Sequence, residues 1–254
     1  MADKPLGHAP HAAFVTPDGP WLPVEHLARV GSTNDVVREA PRPGRVVVAD
    51  VQTAGRGRSG RVWTTTPGTS LAVSVLAPVP ASGAGWVPLF VGLAVHAAVA
   101  QVAGVRTALK WPNDVLVPDD GHRKLAGILC EWTPAGVVAG MGLNVGLERA
   151  DLPLETATSL RALGSTVERA AVLEAYLRHL GRVLAEDTGP YGASAEAYRA
   201  VCSTVGRDVE IHLPGGTRRG GRATGIDAEG RLTLSTDAGI AQVTAGDVVH
   251  VRPH

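Results

Sequence analysis

Seven consecutive residues, Gly55-Arg56-Gly57-Arg58-Ser59-Gly60-Arg61, set three guanidinium groups on a glycine frame. Glycine permits positive φ and lets a ligand approach the backbone closely. Arginine offers a planar fork of donors matched to carboxylate and phosphate oxygens. The run therefore reads as an anion site, with a functionless exposed turn as the plain alternative. Three like charges repel one another, each close pair by about 4 kcal/mol at an effective dielectric of 20. The loop is thus expected to stay partly disordered until an anion arrives. The run also spells GxGxxG, yet a dinucleotide site is excluded. Val62-Trp63-Thr64-Thr65-Thr66-Pro67 is β-rich and broken by proline, so no helix N-terminus follows to receive a pyrophosphate. No Asp or Glu lies between Asp50 and Asp114 to hold a ribose. A P-loop fails as well, for want of Gly-Lys-Ser/Thr.

Lys110-Trp111-Pro112-Asn113-Asp114 forms a second cluster, ahead of the apolar Val115-Leu116-Val117. Ten residues beyond Asp114 begins Lys124-Leu125-Ala126-Gly127-Ile128-Leu129. If the two runs pair as a hairpin, Lys124 comes to lie beside Asn113 and Asp114. An ion pair at a strand start and an Asn-Asp turn are the plain readings. An ammonium held by a carboxylate and facing the arginine loop is the chemical one.

Together the segments carry a resemblance. Gln52-Thr53-Ala54 through Trp63, Lys110 to Asp114, and Arg123-Lys124-Leu125-Ala126-Gly127-Ile128-Leu129 resemble signature segments of biotin–protein ligases. Gly31-Ser32-Thr33-Asn34 and Gly140-Met141-Gly142-Leu143-Asn144-Val145 are similar to two further motifs of that family. Order and spacing agree over roughly residues 30–146. The resemblance implies an α+β fold: a class II aminoacyl-tRNA synthetase/biotin ligase-like catalytic domain, with a mixed sheet and helices, followed by a small C-terminal β-barrel. It implies ATP and Mg2+ as cofactors, biotin as substrate, and a biotin carboxyl carrier protein domain as acceptor. Biotin would become biotinyl-5′-AMP, and a carrier lysine would then take the biotinyl group. Lys124, Arg58, Arg56 and Asp114 would act at the reacting atoms, with Asp114 also the candidate metal ligand. Ser32, Thr33, Asn34, Gln52, Gly55, Arg56, Arg58, Lys124 and Gly127 would bind biotin, Gly127 by leaving room beside its strand. Arg58, Arg61, Trp63, Asn113, Lys124 and Asn144 would bind the nucleotide, Trp63 by stacking on adenine. Two rivals remain, a lipoate or octanoate ligase on the same superfold and a non-catalytic adenylate-binding regulator. The polar Ser32, Thr33 and Gln52 set suits a ureido ring better than a greasy acyl chain.

These residues need elements to position them. The patterns predict a short helix after Ser32, with Ser32 or Thr33 as its cap, and strands over Val46–Val51 and Thr69–Leu76. They predict a buried helix over Trp86–Ala103, strands over Leu109–Val117, Lys124–Trp132 and Val137–Val145, and a helix from a Ser165/Glu168 capping box to about Asp187. A further helix is expected over Ala193–Cys202, then five short strands from Val209 onward. The reading divides the chain into a leader (1–20), a catalytic domain (21–204) and a barrel (205–254). Some relatives carry an N-terminal DNA-binding domain, and the leader is too short for one.

Composition narrows the classes. Hydrophobic residues at 44% and charged residues at 19% describe an ordinary globular chain. Lys+Arg and Asp+Glu balance at 24 each, which argues against a general nucleic-acid coat. Cys130 and Cys202 form no CxxC and read as reduced thiols, and the histidines form no zinc pattern. The longest apolar stretch, Trp86 to Val102, is interrupted by Pro88, His96 and Gln101 and falls short of a membrane span. A cytoplasmic enzyme with no membrane partner is expected, with monomer and homodimer both open.

Overall fold

The computed structural model describes residues 20–63, 66–213, 215–244 and 246–251, so nearly all of the expected leader lies outside the described residues. Strand β1 (Glu25–Val30) leads through helix α1 (Thr33–Glu39) into β2 (Val46–Gln52), and the two strands pair in parallel. Every later pairing is antiparallel. It runs through β3 (Ser70–Ala77), β4 (Ala108–Lys110), β5 (Asp114–Val117), β6 (Arg123–Thr133) and β7 (Gly136–Asn144), giving the sheet order β1-β2-β3-β7-β6-β5-β4.

Alternation along the strands divides this sheet into two faces. Val73, Val75, Ile128, Ala139, Met141 and Leu143 enter the main core, beneath α2 (Val87–Ala103) and α3 (Arg169–Ala185). The other face carries α1, whose Val37 packs on Val47, Leu76 and Val138. Next to that small cluster, the same face shows Ser74, Gly140, Gly142 and Gly127, paired Ser74 to Gly140 and Gly127 to Gly142. This polar, glycine-bearing floor is the setting for the site.

Helix α2, with the 3-10 turn before it, spans Ala84–Ala103, 20 residues, and so is long and apolar enough to cross a membrane. The expectation that this stretch is too short is therefore corrected. Its side chains pack instead against the sheet and α3 as a core helix.

Two further expectations change. Leu109–Val117 is two strands rather than one, because Pro112 has no N–H to give to a ladder and Asn113 favours a turn. The Ser165/Glu168 capping box does not form. Glu168 is the N-cap without a side-chain cap bond, and Ser165 Oγ accepts from Val167 N in a turn ahead of the helix. The start of α3 is set by Arg169, 1% exposed, which pairs with Asp50 and donates to the Ser70 carbonyl.

After α4 (Ala193–Val201), five strands form an antiparallel sheet: β8 (Asp208–His212), β9 (Arg218–Ile226), β10 (Leu232–Thr236), β11 (Gly239–Val243) and β12 (Asp247–His250). Their order is β11-β10-β9-β8-β12. The turn between β9 and β10 docks on the larger sheet's helices. Trp86 Nε1 donates to the Ala228 carbonyl (2.9 Å) and Trp111 Nε1 to the Gly230 carbonyl (3.0 Å). Arg199 donates to the Ile226 carbonyl while stacking on Trp86 at 4.9 Å. Buried carbonyls met by three fixed donors make this junction specific.

Candidate active site

A cavity of about 860 Å3 opens over the glycine-bearing floor, between α1, the Gly/Arg loop, the β4–β5 turn and strand β12. All the residues singled out as functional from sequence line it except Gly55. Gly55 acts one step removed. Its carbonyl accepts from Trp63 N, and a Cβ there would stand 2.5 Å from the Trp63 carbonyl. It lets the loop close on itself.

At one end the groups are neutral and tied together. Thr33 N and Thr33 Oγ1 both donate to Gln52 Oε1 (2.9 and 3.1 Å). Ser74 Oγ, fully buried, lies 2.7 Å from Thr33 Oγ1 and 2.6 Å from Asn34 Oδ1. Asn34 Nδ2 donates to Glu131 Oε2 (2.7 Å) and to the Leu129 carbonyl (3.2 Å). Asn34, expected among the ligand contacts, therefore has its amide engaged by protein at both ends, directly above Gly140. A Cβ at Gly140 would meet Asn34 Oδ1 at 2.2 Å. Ser32 occupies the N-cap position of α1 but makes no side-chain cap bond, so capping by its hydroxyl is corrected. Ser32 lines the cavity.

The other end is cationic. Lys124 Nζ is 2.6 Å from Asp114 Oδ1. The pairing depends on a β-bulge. Asp114 opposes Gly127 and Val115 opposes Ala126, but Leu116 opposes Lys124, leaving Leu125 as an extra residue. Without it, Lys124 would point to the face opposite Gly127; with it, the lysine joins the face of Asp114. Residues 156–158 pin the lysine further, since Lys124 N donates to the Thr156 carbonyl and Thr158 N to the Lys124 carbonyl. The space beside Gly127, expected to be open for ligand, is filled. A Cβ there would meet Lys124 Nζ at 2.9 Å and the Trp63 ring at 3.1 Å. The Trp63 indole also covers Gly142, where a Cβ would approach it at 2.4 Å, and its buried Nε1 has no partner among the described residues. Asn113 Nδ2 donates to the Ile128 carbonyl, and Asn144 Nδ2 to the Thr158 carbonyl.

The three loop arginines do not converge. The loop folds as a tight turn, with Gly57 N bonded to the Arg61 carbonyl, Arg61 N to the Arg58 carbonyl, and Ser59 and Gly60 at positive φ. Arg56 forks onto Asp35 (2.7 Å to each oxygen), which raises the guanidinium's pKa and holds the Asp35 carboxyl below its ordinary value. Arg61 pairs with Asp247 on β12. All three line the cavity, but Arg58 is the half-buried one. No hydrogen bond or ion pair engages its guanidinium among the described residues, and burial lowers its pKa against the pull of Asp247 and Asp114. Two of the three like charges, on Arg56 and Arg61, thus have separate acidic partners, which lessens the anticipated repulsion.

Among the described residues, no three His, Cys, Asp or Glu side chains gather as a metal cage. Asp114 is already paired with Lys124. A hard cation bound here would find its protein oxygen donors in the carboxylates that line the cavity, Asp114 and Asp247.

The Biotin/lipoate A/B protein ligase family matches residues 27–148, and the Biotin protein ligase C terminal domain matches residues 204–251. The biotin–[acetyl-CoA-carboxylase] ligase of Mycobacterium tuberculosis is 39% identical over 244 residues, 91% of this chain and 90% of that one. This chain belongs to the biotin protein ligase family. The family member of Paracoccus denitrificans, also a biotin–[acetyl-CoA-carboxylase] ligase, is 32% identical over 87% of this chain and 98% of its own length. Among solved structures, the Aquifex aeolicus biotin protein ligase in complex with biotin and ATP superposes with a TM-score of 0.72 at 27% identity, covering 91% of this chain and 99% of that one.

Several residues around this cavity were not singled out from the sequence. Ser74 was detectable as the polar residue inside the apolar run Leu71–Ala77. Asp35 and Glu131, which hold Arg56 and Asn34, look like ordinary surface acids in sequence. Asp247 carries no local signal, because its partner Arg61 is remote in the chain.

Proposed function

We propose that this chain is a cytoplasmic, ATP-dependent ligase that activates biotin as biotinyl-5′-AMP and transfers biotin to a lysine of a biotin carboxyl carrier protein or carboxylase domain. The reading treats residues 21–204 as the catalytic domain and 205–254 as the C-terminal one. Its main support is one juxtaposition: the Lys124–Asp114 pair, a hydroxyl–amide bed and the half-buried Arg58 line one cavity.

A biotin carboxylate oxygen attacks the α-phosphorus, the bond to the β-phosphate breaks, and pyrophosphate leaves. Two anions must meet, so fixed cations are needed where charge redistributes. The Lys124 ammonium bridges carboxylate and α-phosphate, held in register by Asp114. Arg58, half-buried and without an acidic partner among the described residues, closes over the same oxygens. The Ser32 hydroxyl and the Thr33–Gln52 pair address the ureido ring, while Trp63 and Asn144 flank the adenine. Asn113 and Asp114 help orient the reactants. Asp114 would be the residue to hold a magnesium ion, which would supply further charge neutralisation. In the second step the acceptor amine attacks the acyl carbon, AMP departs, and the enclosed cavity protects the reactive anhydride from water.

Intact-mass measurement of a carrier domain incubated with this protein, biotin and MgATP tests the reading. One added biotinyl group, absent without ATP, is the expected result. An unmodified carrier together with no biotin-dependent pyrophosphate exchange would sink it. Octanoate offered in place of biotin is expected to give no label.

A further inference from the structure

No step above uses Arg56, although it lies two residues from Arg58 on the same loop. Its guanidinium forks onto Asp35 of α1, 2.7 Å from each oxygen, and Glu131 Oε1 of β6 stands 3.6 Å away. Arg38 reaches the same two acids, pairing with Asp35 and donating to Glu131 Oε1 at 3.0 Å. Two guanidiniums and two carboxylates thus close a neutral cluster, and Glu131 Oε2 ties it to Asn34 Nδ2 (2.7 Å). Both acids have firm supports. Asp35 sits on α1, whose Val37 is fully buried in the small core, and Glu131 stands opposite Val138 of that same core.

The loop that this cluster holds is zipped along its arms. Trp63 N donates to the Gly55 carbonyl (2.9 Å), Arg56 bridges to Val62, and Gly57 N donates to the Arg61 carbonyl (2.7 Å). It behaves as one short hairpin, so fixing Arg56 fixes Arg58 as well. Trp63 seats the base of the hairpin over Gly127 and Gly142. Towards the tip, Ser59 and Gly60 are exposed and Val62 is 79% exposed, so apolar burial contributes little there. Charge pairs must hold that part, Arg56 on one arm and Arg61 with Asp247 on the other.

We propose that Arg56 anchors the loop instead of touching the reacting atoms, and that Asp35 and Glu131 are positioning residues that keep the hairpin, with Arg58, shut over the acyl-adenylate. The inference rests on the reading of this cavity as an acyl-adenylate-forming site. An arginine that met a new carboxylate or phosphate in every turnover would first have to break a two-pronged, charge-assisted pair. Arg58 has no such pair to break among the described residues. A single exposed ion pair is weak, whereas a bidentate fork inside a four-charge network is the case in which such pairs count.

The test uses the full chain with Asp35→Asn, Asp35→Glu, Arg56→Gln and the Asp35→Asn/Arg56→Gln double variant, each checked for an unchanged melting temperature. The probe is pre-formed biotinyl-5′-AMP, whose release is followed after a chase with unlabelled compound. Asp35→Asn should speed release about fivefold, the upper range for an exposed pair. Its biotin-dependent pyrophosphate exchange should stay near the wild-type rate, and Asp35→Glu should restore slow release. The double variant should release no faster than the quicker single one, because both substitutions remove the same interaction. Added salt should speed release from the wild type by screening and change Asp35→Asn much less. Wild-type retention in Asp35→Asn overturns the inference. So do additive effects in the double variant, or a loss of exchange in Asp35→Asn without faster release. A wild-type protein that neither holds biotinyl-5′-AMP nor catalyses exchange would instead bring down the reading of the cavity, and the inference with it.

Discussion

The two ends of the cavity are built on opposite rules. At the α1 end, Thr33, Asn34, Gln52 and Ser74 satisfy one another, and Glu131 completes the chain of hydrogen bonds. At the β5–β6 end, Arg58 and Lys110 are half-buried and have no hydrogen-bond or ion-pair partner among the described residues, while Lys124 and Arg61 are paired. A neutral ligand is recognised by a network finished in advance, because unmade buried hydrogen bonds are costly. A polyanion is recognised by charge left unsatisfied, since full pairing beforehand would have to be undone at every turnover. The difference teaches where rigidity and where vacancy serve the chemistry.

The sharpest way to break the comparison is Lys124→Ala, which removes the one cation shared by both ends. Biotin-dependent pyrophosphate exchange should fall by 100- to 1,000-fold, roughly 2.7–4 kcal/mol. Activity within threefold of wild type would take Lys124 out of the reaction centre. Arg58→Gly should release the adenylate ten- to a hundredfold faster, in keeping with about 1.5–3 kcal/mol for a hydrogen bond to a charged group. Non-specific labelling of lysines on a bystander protein would rise with it; retention equal to wild type counts against the enclosing role.

Gly142→Ala probes the floor between the two ends. Its Cβ, 2.4 Å from the indole, must push Trp63 off the sheet. About a tenfold rise in the KM for ATP is expected, with biotin affinity nearly unchanged in calorimetry. Ser74→Ala acts on the finished network alone and should weaken biotin about five- to tenfold, near 1 kcal/mol for one buried hydrogen bond, leaving the KM for ATP as it was.

A separate effect falls on stability rather than on activity. His250, bonded to Thr204 Oγ1 behind Lys110, is held down to about 4 from an ordinary 6.5, first by burial and then by the Lys110 charge. The folded protein keeps this ring neutral between those values, whereas the unfolded chain protonates it. Stability from this group is therefore present above pH 6.5 and lost as pH falls toward 4. His250→Gln should flatten the melting temperature across that window, and an unchanged slope would exclude the ring as its source.

Much of the fold was legible because local pattern and packing agree. Val46–Gln52 and Ser70–Ala77 are apolar enough to be strands in any context, and the helix of Val87–Ala103 ends at a left-handed Gly104. The site was legible as a set of residue types in order. It was not legible as a geometry. Nothing local marks Leu125 as the bulged residue, although it decides which way Lys124 points. Nor could the loop reveal that Arg56 pairs with Asp35 and Arg61 with Asp247, while Arg58 has no such partner among the described residues.

By itself, then, the chain determined its chemical inventory: three guanidiniums on glycine, a lysine ten residues past an acid, hydroxyls ahead of a short helix, and strands and helices to carry them. Tertiary structure decided which of those charges are free. An ion pair forms with whatever carboxylate packing brings near, and α1, β6 and β12 supply theirs from distant parts of the sequence. Pattern and propensity act over a few residues; Coulomb partners in a folded protein are chosen by the whole chain.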